Sequence, residues 1–288
     1  MNKQLSIISF FSVLLLFFFS CSNSSKENEQ SKDSEEVKTD NVQTFWPNAF
    51  SKDSLVFDVP EKLDQAMANY ISSLASKDSS YISNSLDGID SLLDDEKLYT
   101  FWDQVDHYAY HPNSPLRDDE VSLFLFQSLL KIPNVNETYK VTYSHKVNLL
   151  KKNRIGHKAV DFEYFTPEGK TQNMSDIKAA KLITIFYDPT CHTCEGVIDL
   201  LKSSEKVNKA IEDNKVSILS VNVFEGEIGW EAAQYKLPKT WINGWDKNQE
   251  ILLKEKYNLL AYPTIYVFDE NKVVLYKDIT VDKLLEIL

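Results

Sequence analysis

The chain has 288 residues with 43% hydrophobic side chains, enough for one or two domains with sizeable cores. A formal net charge of −12 argues against any protein that tracks nucleic-acid phosphates, so no nucleic-acid partner is expected. Seven glycines leave little material for Gly-rich nucleotide loops, and three cysteines are too few for a disulfide framework.

Residues 1–20 read as a targeting segment, to be kept out of fold reasoning. Lys3 supplies a small positive start, Leu5 to Phe19 is almost wholly apolar, and Ser20-Cys21 ends the run. The stretch is shorter than the ~20 residues that span a bilayer. It resembles a bacterial lipoprotein signal peptide, with Phe18 standing where leucine is usual. That resemblance implies cleavage before Cys21, a diacylglyceryl group on Cys21 that contacts the lipid bilayer, and a place in the cell envelope facing the periplasm or exposed at the surface. Ser22, rather than an aspartate, points towards the outer membrane. An ordinary secretory signal and an uncleaved anchor are the competing readings. Residues 21–44 are Ser, Asn, Lys, Glu and Asp with little apolar surface to offset ordering entropy, which reads as a flexible acidic linker.

Residues 45–152 form the next unit, expected to be a mainly α-helical domain of four or five helices. Leu63, Met67, Tyr70, Ile71 and Leu74 recur at helical spacing, as do Tyr81, Ile82, Leu86, Ile89, Leu92 and Leu93. Asp118-Asp119-Glu120 places acids where a helix dipole favours them, and Val121 to Leu130 is apolar nearly all round, hence central. Tyr139 to Leu150 is one more helix, leading into the basic link Lys151-Lys152-Asn153-Arg154. Trp102, His107, Tyr108, Tyr110 and His111 form an aromatic cluster, read as packed core with satisfied histidines in preference to a partner-binding face. The stretch from Phe101 to Arg117 loosely resembles helical modules that precede thioredoxin-like domains in envelope lipoproteins, which says nothing of mechanism.

Residues 153–288 alternate strand and helix, and that pattern implies a central mixed sheet flanked by helices. Ala159 to Phe165 reads as a strand, Pro167-Glu168-Gly169-Lys170 as a hairpin turn, and Ser175-Asp176-Ile177 as a short helical turn. Leu182 to Phe186 and Val216 to Val223 are buried strands. A helix is expected near Trp230 to Tyr235, a loop at Pro238, and a helix from about Asn248 to Tyr257. Ala261 to Asp269 and Lys272 to Tyr276 are antiparallel strands, and Thr280 caps a last short helix. Trp241 to Asp246 falls in an insertion, either shaping a groove or serving ordinary packing and turn chemistry, the second reading being favoured.

The chemistry is in Cys191-His192-Thr193-Cys194, delivered by the buried Leu182 strand to the first turn of a helix carrying Val197, Ile198, Leu200 and Leu201. Free N–H groups and the positive helix end there favour a thiolate. With Cys21 taken by lipid, the other two cysteines form one pair, suited to thiol–disulfide exchange and oxidised at rest in an oxidising compartment unless something reduces it. With Tyr262-Pro263-Thr264 entering a later strand, the segment resembles a thioredoxin fold. The opening Gly156 to Phe162, its hairpin and the 72-residue gap from Cys191 to Pro263 resemble the TlpA/ResA-like branch of membrane-anchored thioredoxins. The resemblance implies that Cys191 is the nucleophile and Cys194 the resolving thiol. It implies a cis bond before Pro263, beside which Tyr262, Pro263 and Thr264 bind an extended protein substrate, with His192 and Thr193 tuning the pair and meeting the substrate. Partners would be protein thiols or disulfides and a membrane or periplasmic redox partner; no cofactor and no metal are implied. Three departures stand out. Thr193 replaces the proline common at the second variable position. Thr190 replaces the usual tryptophan, and apolar Ile185 occupies the place of the buried acid that assists proton transfer, with Glu163 and Glu195 as candidate substitutes. Competing readings are an inert disulfide, a soft-metal site of Cys191, His192 and Cys194, a peroxiredoxin, and a scaffold lipoprotein in which the helical domain grips a partner.

Overall fold

The computed structural model describes residues 45–53, 55–224 and 226–288. The expected signal peptide, Cys21 and the linker to residue 44 lie outside the described residues. Among those described, seven helices come first: α1 (Phe45–Lys52), α2 (Pro60–Leu74), α3 (Ser79–Asn84), α4 (Ile89–Leu92), α5 (Asp95–Ala109), α6 (Asp119–Leu129) and α7 (Glu137–Leu150). Each longer helix has a local reason to begin where it does. Pro60 opens α2, where its missing N–H costs nothing. Side chains of Asp94, Asp118 and Asn136 accept the free N–H groups of Lys97, of Glu120 and Val121, and of Thr138.

Two expectations change here. The run from Tyr81 to Leu93 is split into α3 and α4, because Gly88 sits at φ 77° and turns the chain between them. α5 is a helix beyond those the pattern predicts, although Leu98, Phe101, Trp102, Val105 and Ala109 follow helical spacing behind the Asp94 cap. The core of this segment is aromatic. Trp46, Tyr70, Phe101, Trp102 and Phe126 are fully buried, with Trp102 edge-on to Tyr143 at 4.8 Å. Trp102 and Tyr110 therefore pack as expected, but His107 and His111 do not: both are exposed at the end of α5.

The remaining elements are β1 (Glu163–Phe165), β2 (Thr171–Asn173), β3 (Lys181–Tyr187), α8 (His192–Ser203), α9 (Glu205–Glu212), β4 (Ser217–Asn222), α10 (Glu227–Gln234), β5 (Ile242–Trp245), α11 (Glu250–Leu253), β6 (Thr264–Asp269), β7 (Val274–Lys277) and α12 (Val281–Ile287). They build a mixed sheet in the order β2-β1-β5-β4-β3-β6-β7. β3 lies at its heart, parallel to β4 and antiparallel to β6. Its side chains alternate between two cores. Leu182 and Phe186 join Tyr257, Tyr266 and Phe268 on one face, while Ile183, Ile185 and Tyr187 join Ile198, Leu201, Val207 and Leu284 on the other. The Trp241 to Asp246 stretch is strand and strand-end packing, not groove: β5 runs parallel to β4, Trp241 and Trp245 are buried, and Asp246 accepts the N–H groups of Glu250 and Ile251 to start α11. The helix expected up to Tyr257 is only the one turn of α11. The first strand is likewise shorter than expected, because residues 156–159 pair instead with β7, Gly156 and Ala159 donating to Val274 and Lys272 at 2.8 Å.

The basic link is fully engaged. Lys152 Nζ and Asn153 Nδ2 donate to the carbonyls of Glu255 and Lys256, and Arg154 makes a two-pronged contact with Glu120 at 2.9 and 2.5 Å. Tyr110 Oη donates to Asn258 Oδ1 at 3.1 Å, and Leu260 packs on the helical core.

Candidate functional site

β3 and β4 are parallel and end side by side, Tyr187 opposite Asn222. The loops leaving their carboxyl ends are where an open α/β sheet places ligands. After Tyr187 the chain makes a tight turn. Asp188 Oδ1 accepts both the N–H and the hydroxyl of Thr190 at 2.8 Å, and the Asp188 carbonyl accepts the Cys191 N–H at 3.1 Å. The turn sets Cys191 as the cap of α8, with extended backbone (φ −81°, ψ 114°). Its sulfur takes the place of the usual hydroxyl or carboxylate and accepts the Cys194 N–H at 3.2 Å.

The two thiols, both free, have different surroundings. Cys191 is half-buried and donates to the Tyr262 carbonyl at 3.7 Å. Cys194 is 1% exposed, set into the core beneath α8. Burial pushes the Cys194 thiol up to about 12, the Cys191 sulfur beside it adds to the rise, and the Asp188 backbone opposes it. The Tyr262–Pro263 peptide bond is cis, as the resemblance implies. Burial, with Asp188 and Cys194 nearby, lifts the Tyr262 phenol to about 12.

The other expected site residues separate into those that face this spot and those that do not. His192 and Thr193 are exposed, and the His192 ring leans outward, its Nδ1 4.0 Å from Glu195. Tyr262 and Pro263 are half-buried beside Cys191. Thr264 is fully buried and its hydroxyl donates to the Ala261 carbonyl at 2.6 Å, so it holds the loop instead of presenting a group to a substrate. Of the candidate acids, Glu163 is on β1, separated from β3 by both β5 and β4, and Glu195 points outward to Lys236 at 3.6 Å. The carboxylate close enough to act electrostatically on both Cys194 and Tyr262 is that of Asp188, which sequence reasoning passed over as part of a turn. Phe224 was also missed. It is 49% exposed and edge-on to Tyr262 at 5.2 Å. The signal for it was an aromatic left uncovered just past the end of a buried parallel strand.

A cavity of ≈ 640 Å³ opens on the α8 side, where Cys194, Asp188 and Tyr187 meet Ile198 of α8 and Ala233 of α10. Among the described residues no three His, Cys, Asp or Glu side chains are grouped so as to hold a metal ion. The arrangement can present one sulfur to a partner while keeping a second within reach behind it.

Residues 41–153 match the family described as a domain of unknown function, DUF5106. The crystal structure of a thioredoxin-like protein from Bacteroides caccae is similar to 85% of this chain and 90% of its own, at 30% identity and a TM-score of 0.78. The thioredoxin-like protein YneN of Bacillus subtilis is 28% identical over 124 residues, covering 41% of this chain and 68% of that one. The C-terminal domain of an uncharacterised protein from Bacteroides fragilis is 34% identical over 47% of this chain, with a TM-score of 0.46.

Proposed function

Given that the chain belongs to the thioredoxin-like protein family, we propose that it is a protein thiol–disulfide oxidoreductase working through Cys191 and Cys194. The observation that carries this reading is the pairing of a half-buried sulfur at a helix cap, against the Tyr262 carbonyl, with a buried thiol one turn behind it.

In the reducing direction the Cys191 sulfur, as thiolate, attacks one sulfur of a client disulfide. A Cys191–client bond forms, the client S–S bond breaks, and its second sulfur leaves as a thiolate. Negative charge on Cys191 meets the Cys194 N–H and the positive end of α8. Cys194 then gives up its proton and attacks Cys191. A Cys191–Cys194 bond forms, the client is released with its second thiolate, and two electrons have passed from the pair to the client. Because burial holds the Cys194 proton tightly, this second step needs a base, and Asp188, whose carboxylate acts electrostatically on Cys194, is the candidate. Run backwards, the same steps oxidise a client. His192 and Thr193 border the reacting sulfur, and the extended client lies along Tyr262 and Pro263. The same reading places the protein in the cell envelope, tethered to the bilayer through lipidated Cys21, with a membrane or periplasmic redox partner renewing the pair.

The test is a mixed-disulfide trap. Cys194→Ala should accumulate covalent complexes with client proteins that vanish on adding dithiothreitol, and Cys191→Ala in the same background should abolish them. An empty trap would favour a scaffold over an enzyme. The reduction potential sets the direction: a value near about −270 mV marks a reductant, and one near about −120 mV an oxidant. Metabolic labelling with a clickable fatty acid should mark the wild-type protein and leave Cys21→Ser unlabelled.

A further inference from the structure

A second cleft, of ≈ 560 Å³, lies against Pro263. Its two walls come from distant parts of the chain. One is the loop between α5 and α6 with the first residues of α6, from Pro112 to Glu120; the other is the turn between β7 and α12, with Asp278 and Ile279; Ala261 and Pro263 also line it. Pro263, which follows the residue whose carbonyl meets the Cys191 sulfur, thus borders a cleft that the α/β segment cannot form alone.

The walls are locked by four charges. Arg117 binds the Asp278 carboxylate and reaches Asp119 Oδ1 at 3.3 Å, while Lys277 Nζ is 2.6 Å from the other Asp119 oxygen. These side chains are 13% exposed for Arg117, 11% for Asp119, 7% for Lys277 and 22% for Asp278, so water screens them little. Burial pushes the Asp278 carboxyl up, and Arg117 opposes that rise. Removing one member of such a cluster leaves the rest uncompensated. Asp278 also lies at φ 48°, a left-handed conformation that aspartate tolerates better than most residues and that turns the chain here. The next residue, Ile279, donates its N–H to the Ile265 carbonyl at 3.3 Å, two residues beyond Pro263. A short line of contacts therefore runs from Arg117 through the Asp278 turn to the strand that begins beside the cis-proline.

A client chain lying along Tyr262 and Pro263 must continue on both sides of its cysteine. Phe224 flanks Tyr262, and Pro263, the next residue, lines this cleft, so a client passing Pro263 would reach it. Its lining mixes charged and hydroxylated side chains such as Ser114, Glu120 and Thr280 with Pro112, Pro115 and Ile279, a mixture suited to polypeptide, which carries both backbone amides and apolar side chains. We infer that Arg117 is a positioning residue for a polypeptide client: paired with Asp278, it fixes the far wall of the substrate groove, which makes the helical segment part of client recognition. This rests on the exchange activity proposed above and deepens it.

The experiment uses the chain from residue 21 to its end with Cys21→Ser, reduced and then freed of dithiothreitol, and follows its single-turnover oxidation by two disulfides. Insulin is a polypeptide disulfide long enough to enter the cleft; 5,5′-dithiobis(2-nitrobenzoate) is a small disulfide that needs only Cys191. In Arg117→Ala the ratio of the second-order rate constant for insulin to that for the small disulfide should fall by about tenfold, chiefly through slower reaction with insulin. The exchanged pair Arg117→Asp with Asp278→Arg should bring the ratio back to within about threefold of wild type. An unchanged ratio overturns the inference. So does an equal loss on both oxidants with a lowered Tm, since that marks a merely structural contact. Wild-type protein inert towards both oxidants would instead sink the exchange reading, and this role with it.

Discussion

The helical segment and the sheet segment handle the same kinds of side chain in opposite ways. The helices close on themselves. Trp46, Tyr70, Phe101 and Trp102 disappear into one core, and the helix starts are capped by their own Asp and Asn residues. The sheet segment divides its apolar residues between two faces and leaves an open edge where β3 and β4 end. At that edge a sulfur caps a helix, an aromatic is uncovered, and a buried thiol sits below. A closed bundle satisfies its residues and so gains stability; a parallel strand pair ends in loops whose N–H groups and side chains stay free for chemistry. In this chain both segments bury cores of their own, but the sheet segment alone leaves a sulfur pair and an aromatic at its open end, and the Arg117 cluster joins the two.

Substitutions can break that division or sharpen it. The largest effect on chemistry should come from Cys191→Ser, with loss of exchange by at least about a thousandfold and no measurable change in Tm. Trp102→Ala should do the reverse. It should cost about 3–5 kcal/mol by urea denaturation, while the part that stays folded keeps its rate per molecule; a rate that falls with the folded fraction held constant would breach the division. Gly244→Ala tests packing within the sheet segment. A Cβ there would stand 2.8 Å from Tyr164 Cδ2, so a destabilisation of about 1–3 kcal/mol is expected.

The pH response is smaller and has a definite sign. An unfolded chain releases the Cys194 proton near the usual thiol value of about 8.5, whereas the folded protein holds it up to about 12. Between those values the folded state binds more protons, so reduced protein should lose stability as pH rises through that window. Raised tyrosines act in the same direction. The informative quantity is therefore the extra slope of reduced wild type over Cys194→Ala, and equal slopes would contradict the burial argument. The smallest effect belongs to the exposed pair of His145 and Glu255, 2.7 Å apart, where His145→Ala should cost less than about 1 kcal/mol.

The reading of the strand, the CxxC turn and the helix was available from residues 182–201 alone, since apolar alternation and helical spacing are written over a few neighbouring positions. The same holds for the two-segment plan and the hairpin at Gly169, each carried by a local change of period. Short-range signals failed at β5, because Ile242 to Trp245 is too brief to show a period and becomes a strand only by pairing with β4 and β1. They failed too at Asp188, whose role depends on Cys194 and Tyr262 folding around it, and at Thr264, whose hydroxyl is used up by its own loop.

Sequence by itself determined which stretch carries the sulfur pair and which fold delivers it, because hydrogen-bonded turns and buried strands form from near neighbours. Tertiary structure alone decided what surrounds that pair. Tyr262 meets Cys191 across 71 residues and Arg117 meets Asp278 across 161. Contacts at such separations follow from which strand edges and helix faces remain open once the local elements have formed, and no short window of sequence encodes that.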